Sequence, residues 1–150
     1  MYVKNLNYLT WGRLSIEASI KSWFNFSLIV TFSRIANAMF LFGDHIVWLH
    51  RNKLIQVNDI KKWERFSNKS WLYSVILNLV RDYRGLKKSG ISPETRRALL
   101  LDTLKNAADI WLPLRSLDHV NLSPFFVGLL GVISSILSAL PIINNNFRIG

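Results

Sequence analysis

VNLSPFFVGLLGVISSILSALPII, running from Val120 to Ile143, carries no charged side chain, and no Asp, Glu, Lys or Arg occurs between Asp118 and Arg148. Wound as a helix, this run rises about 36 Å, enough to cross a hydrocarbon layer of about 30 Å with some tilt. A central helix in a soluble domain seldom goes so long without one charge, so the run reads as a transmembrane segment, 120–143. Ser123-Pro124 supplies a cap and a first-turn proline, which predicts a helix over 124–143 that frays at Pro141 before the polar Asn144 to Asn146. Gly128, Gly131, Ser135 and Ser138 recur at steps of three and four. They make one stripe of small side chains on which another backbone can approach closely, a candidate association face.

A second apolar stretch, WFNFSLIVTFSRIANAMFLFGDHIVWL from Trp23 to Leu49, is long enough to span but is interrupted by Arg34, Asp44 and His45. Burying those charges in lipid is costly. Arg34 and Asp44 lie nearly three turns apart and cannot pair within one straight helix. A second span, a partial insertion and a protein-packed helix all remain open for this segment, which is assigned to a helix over 13–50.

Residues 51 to 105 hold 13 of the 19 Lys and Arg but only 5 of the 9 acids, so most of the net charge of +10 is concentrated there. A basic amphipathic middle is assigned to 51–118. Its first helix, 59–88, places Ile60, Trp63, Trp71, Leu72, Val75, Ile76, Leu79, Tyr83 and Leu86 at helical spacing, with Lys61, Lys62, Arg65, Lys69, Arg81 and Arg84 largely on other faces. A cationic side with Trp near one end suits a helix lying in a bilayer interface, although a solvated bundle helix has the same pattern. Gly85 to Ser92 reads as a turn. Ser92-Pro93-Glu94 then caps a helix over 93–112, with an apolar stripe of Leu100, Leu101, Leu104, Ala107, Ala108 and Trp111, and with Pro113 at its end. The chain is therefore expected to be an all-α, helical membrane protein of about four helices, the last transmembrane.

Composition agrees. Half of the 150 residues are apolar, and six Trp and nine Phe are more large rings than one small core normally holds. The basic balance suits an anionic partner, a headgroup layer or nucleic acid. The aromatics of 61–88 fall mostly on a packing stripe rather than free for base stacking, which favours the bilayer over nucleic acid. Without cysteine there is no disulfide framework or thiolate metal site. His45 and His50 are five apart rather than three or four, and His119 stands alone, so no metal, cofactor or catalytic set is assigned. No nucleophile elbow, phosphate-binding loop or zinc-protease helix is present, and an enzyme is not expected. Neither a secretory signal in Met1 to Thr10 nor a terminal receptor-read address in FRIG is recognisable.

Ala36 to Leu49 (ANAMFLFGDHIVWL), Lys62 to Asp82 (KWERFSNKSWLYSVILNLVRD), Leu99 to Leu114 (LLLDTLKNAADIWLPL) and VGLLGVISSIL at Val127 to Leu137 occur in the order found in the peroxin-11 family of peroxisomal membrane proteins, which residues 24 to 143 resemble. Asp44, Trp48, Trp63, Arg81, Asp82, Asn106, Asp109 and Pro113 carry the pattern. The segment 1–22 is unmatched, where family members usually carry a longer N-terminal region with amphipathic helices in the cytosolic leaflet.

The resemblance implies one membrane domain over 1–150, located in the peroxisomal membrane. It also implies a role in peroxisome elongation, proliferation and fission through membrane association, homo-oligomerisation and recruitment of a fission adaptor and a dynamin-related GTPase. It further implies a peroxisomal membrane protein import receptor as partner. Lys61, Lys62, Arg65, Lys69, Arg81, Arg84, Lys105 and Arg115 are the candidate membrane-surface or receptor-binding cations. The alternative is a channel or pore for small solutes, with Arg34 and Asp44 lining a polar path. The positive-inside rule places the basic middle in the cytosol, whereas two full spans with cytosolic termini place it in the lumen; the expectation leans to one span with the earlier helix partly inserted.

Overall fold

A computed structural model describes the backbone of residues 3–143 and the side chains from Phe26 onward. These residues form α1 (Val3–Arg51), α2 (Ile60–Leu86), α3 (Pro93–Asp109), the short α4 (Trp111–Ser116) and α5 (Pro124–Ile143), with no strand among them. Four long helices were expected, and four are present. The helix predicted from residue 13 instead starts at Val3; nothing in residues 3–12 breaks a helix, since Gly12 is tolerated and no proline occurs. Side chains of the unmatched segment 1–22 lie outside the described residues.

Caps set the other boundaries. α1 ends in a Schellman-type turn in which the Leu54 N–H donates to the Leu49 carbonyl at 3.0 Å, with Lys53 left-handed at φ 59°. The Asp59 carboxylate accepts from the Lys62 N–H at 3.1 Å to open α2, and Ser92 Oγ accepts from the Thr95 N–H at 3.2 Å to open α3. Pro113 was expected to end the third helix but acts a turn earlier. Its ring removes the N–H that would bond to Asp109 and crowds that carbonyl, so α3 stops at Asp109. Pro113 itself is buried inside α4. Likewise Pro141 is accommodated within the last turn of α5.

The long helices make an open row. Among the described residues α1 packs on α2 alone; α2 also meets α3, and α3 meets α5; α4 bridges α2, α3 and α5. Direction follows from the contacts. Ser33 Oγ donates to Asn78 Oδ1 at 2.5 Å near one end of the α1/α2 pair, and Arg51 meets Glu64 at 2.8 Å near the other, so these helices are antiparallel. Asp82 faces Asn106, and Gly85 faces Leu99, so α2 and α3 are antiparallel too. α5 starts beside the end of α3 and returns along it. Ends at Arg51, Ile60, Asp109 and Pro124 therefore share one edge of the row, and the α2–α3 turn lies at the other.

A single layer has two open faces and little interior. Among the described residues, six apolar side chains are buried (Val47, Val75, Ala98, Leu99, Ala108 and Pro113), against seven polar ones: Ser33, Ser67, Ser70, Ser74, Asp82, Asn106 and Ser134. Small polar residues thus line the helix contacts. Gly43 shows how close the approach is: a Cβ there would meet Ser67 Cβ at 3.0 Å and Ser67 Cα at 3.3 Å. Ser67 Oγ donates to the Phe40 carbonyl at 3.1 Å across the same seam.

Candidate membrane interface

Apolar bulk has gone outward. Among the described residues, 25 large apolar side chains are exposed, many in stripes of three-and-four spacing. The stripes comprise Leu28, Phe32, Ile35, Met39 and Phe42 on α1; Tyr73, Ile76, Val80 and Tyr83 on α2; Leu100 and Leu104 on α3, continued by Trp111 on α4; and Phe125, Leu129, Val132 and Ile136 on α5. A protein folded in water puts its large apolar groups inside. Contiguous apolar faces on this scale need a non-aqueous neighbour, and small residues at helix contacts are how membrane helices pack. Two helical segments, Phe26–Arg51 and Pro124–Ile143, are long and apolar enough to cross a bilayer.

The stripe predicted for 93–112 is split accordingly. Leu100, Leu104 and Trp111 face out, while Asp102, Asn106 and Ala108 turn toward the neighbouring helices. The apolar set predicted for 59–88 divides as well. Val75 is buried and Trp71 stacks on Phe40 at 5.1 Å, whereas Ile76 and Tyr83 face out. α2 is therefore no isolated surface helix, because Ser67 donates to the Phe40 carbonyl and the Ser74 carbonyl accepts from Ser33, which hold it lengthwise against α1.

Cations gather at both edges of the row. Lys61, Lys62, Arg65 and Lys69 are exposed near the start of α2, with Arg51 and Lys53 beside them; Arg84, Lys87, Lys88, Arg96 and Arg97 are exposed at the other edge. The innermost exposed cations of the two groups, Lys69 and Arg84, are about 22 Å apart along the axis and the outer pair Arg65 and Lys87 about 33 Å, which brackets a hydrocarbon thickness of about 30 Å. The Lys87 ammonium lies over the Tyr83 ring at 5.8 Å. Trp48, Trp63 and Trp111 cluster at the Arg51 edge, with Trp63 edge-on to Phe42 and Phe66 at 6.0 Å and 5.9 Å, as in an interfacial aromatic belt.

Two of the candidate cations are spent internally. Arg81 Nε and Nη2 donate to Asp82 Oδ1 at 2.9 Å and 2.6 Å, and Nη2 also reaches Asp102. Asn106 Nδ2 donates to Asp82 Oδ2 at 3.3 Å, so one guanidinium and one amide satisfy the fully buried carboxylate and tie α2 to α3. Lys105 pairs with Asp109 at 3.7 Å, and Arg115 is half-buried on α4. The small-residue stripe lies beside the α3 contact rather than in it: Ser134 is the buried residue, a Cβ on Gly128 would meet nothing within 4 Å, and one on Gly131 would just reach Leu112 at 4.0 Å. Ser135 and Ser138 are exposed, their hydroxyls turned onto the Gly131 and Ser134 carbonyls at 2.8 Å. Arg34 and Asp44 are exposed on different flanks of α1, about 15 Å apart along its axis. Among the described residues, no group of three His, Asp or Glu forms a metal-holding set.

The sequence profile described as peroxisomal biogenesis factor 11 matches residues 4–92 and 88–143. The chain belongs to that family. Its match takes in most of 1–22, where none of the shared blocks occurs, and it parts within the α2–α3 turn. Peroxisomal membrane protein 11B of Bos taurus is 28% identical over 76% of this chain and 64% of its own length, and that of Homo sapiens is 28% identical over the same shares. The chain thus spans 64% of the length of these relatives. No solved structure matches it. Within this peroxin-11 chain, Asn106, Asp82 and Pro113 are the largest fully buried side chains, so three of the eight residues that carry the resemblance are architectural. Arg81 holds Asp82, and Trp63 packs the α1/α2 edge, whereas Asp44 and Trp48 are exposed.

Proposed function

We propose that this chain is embedded in the peroxisomal membrane as a row of helices and promotes peroxisome elongation, proliferation and fission by membrane association, self-assembly and recruitment of fission factors, without catalysis. The inverted surface carries this reading: polar seams inside, apolar stripes outside, and cations at two edges separated by about the thickness of a bilayer. α1 and α5 cross in opposite directions, and α2 and α3 accompany them. An array whose outer helices, α1 and α5, meet one long helix each among the described residues can add further copies, and the open stripe of Gly128, Gly131, Ser135 and Ser138 supports the α5 edge as one association face. Lys61, Lys62, Arg65, Lys69 and Arg84 are available to anionic headgroups, to the import receptor, or to the fission adaptor and dynamin-related GTPase. Reconstitution tests this. Purified chain added to anionic liposomes should float with them, resist alkaline extraction and elongate the vesicles; protein that stays monodisperse in water and leaves vesicles spherical refutes it.

The solute-pore alternative needs several copies, because one row encloses no channel. Planar bilayers that remain silent as protein is added would dismiss it.

A further inference from the structure

A cleft of about 560 Å³ runs between α1 and α2, with Ser116 at the end of α4 and Asp118 just beyond it on its rim. Phe40, Asp44, Val47 and Arg51 line one wall at steps of four, three and four; Lys61, Arg65, Asn68 and Trp71 line the other. The lining is graded along about 16 Å of axis. One end is the stacked Phe40–Trp71 pair, Asp44 stands one turn along α1 from it, and Arg51, Lys61 and Asp118 lie toward the other end. That gradient is the shape of an amphiphile, with a polar head at the charged end and a chain leaving past the rings.

Charge narrows the ligand. Arg51 and Glu64 neutralise each other at 2.8 Å. Two cations, Lys61 and Arg65, and two carboxylates, Asp44 and Asp118, then remain around the cleft, none ion-paired among the described residues. An anionic head would meet both carboxylates, whereas a phosphodiester joined to an ammonium satisfies both signs. Depth agrees: Arg51 ends the first apolar segment, and Asp118 just precedes the second, which begins at Pro124, so the charged end lies at the headgroup level of both. We propose that this cleft binds the headgroup of a zwitterionic glycerophospholipid, its phosphate on Lys61 and Arg65 and its ammonium on Asp44 and Asp118. The inference rests on the membrane-embedded reading above.

The test is native mass spectrometry of the full chain in detergent, with phosphatidylethanolamine, phosphatidylcholine and phosphatidylglycerol of identical acyl chains. One zwitterionic lipid should be retained per chain, about tenfold over phosphatidylglycerol. Lys61→Gln with Arg65→Gln should lower that retention about tenfold, and Lys61→Arg with Arg65→Lys should preserve it. Asp44→Asn with Asp118→Asn should shift preference toward phosphatidylglycerol, with helicity by circular dichroism unchanged. Equal retention of phosphatidylglycerol by the wild type, or unaltered retention in the glutamine variant, overturns the proposal. Flotation on liposomes separates the failures: a chain that floats without headgroup preference loses the cleft alone, and one that neither floats nor retains lipid loses the membrane reading with it.

Discussion

Gly43→Leu should pry α1 from α2. A Cβ alone would stand 3.0 Å from Ser67 Cβ, 3.2 Å from Phe66 Cδ1 and 3.3 Å from Ser67 Cα. Carbon atoms rest at about 3.5–4.0 Å, so even alanine requires the α2 backbone to retreat by several tenths of an ångström. Leucine adds three more carbons where there is no space. Overpacking costs about 1–3 kcal/mol, and loss of the Ser67 hydroxyl bond to Phe40 adds about 1 kcal/mol. Replacing a helical glycine returns about 1 kcal/mol, leaving a net cost of about 1–3 kcal/mol. Unfolding in mixed micelles by SDS titration, followed by circular dichroism, measures it, and fluorescence of a chain in which the other five Trp are Phe reports the Phe40–Trp71 stack on the same seam. Gly128→Leu is the matched control, since nothing lies within 4 Å of that position. Equal stability of Gly43→Leu and wild type would refute the close α1/α2 contact.

The Gly128→Leu chain should keep monomer stability but lose self-association, read by crosslinking in liposomes. Asn106→Ala should cost about 1–3 kcal/mol by leaving an oxygen of buried Asp82 without its amide donor, measured by the same titration. Asp82→Asn should be milder than Asp82→Ala, because an amide oxygen still accepts from Arg81. Lys53→Gly should stabilise the chain by about 1 kcal/mol, since Lys53 holds a left-handed backbone that glycine adopts freely, and thermal unfolding would register it.

Local signals read well in this sequence. The charge gap located α5, and Ser92-Pro93-Glu94 located the start of α3, because both depend on neighbours in the chain. Long-range choices did not. Ser67, Ser70 and Ser74 recur at i, i+3 and i+7, yet an apolar-inside rule looks past serine; only the packing against Gly43 and Phe40 reveals the seam. Arg81 reads as a surface cation until Asp102 arrives from the next helix. The inward turn of Asp102 and Asn106 split the apolar stripe expected for α3 for the same reason. Asp82, Asn106 and Pro113 could be singled out by resemblance, but their burial could not.

Opposite crossing by α1 and α5 is the claim on which most depends, and the cysteine-free chain makes it directly measurable. Single cysteines at Asn58, Asn121 and Gly90 would be labelled with a membrane-impermeant maleimide on intact peroxisomes and after permeabilisation. Gly90 lies in the α2–α3 turn with nothing within 4 Å of an added Cβ, and its left-handed φ of 79° costs a cysteine there about 1 kcal/mol without moving a neighbour. The structure predicts that positions 58 and 121 react from one side and position 90 from the other. Labelling of 58 and 121 from opposite sides, or of all three from one side, would contradict the array.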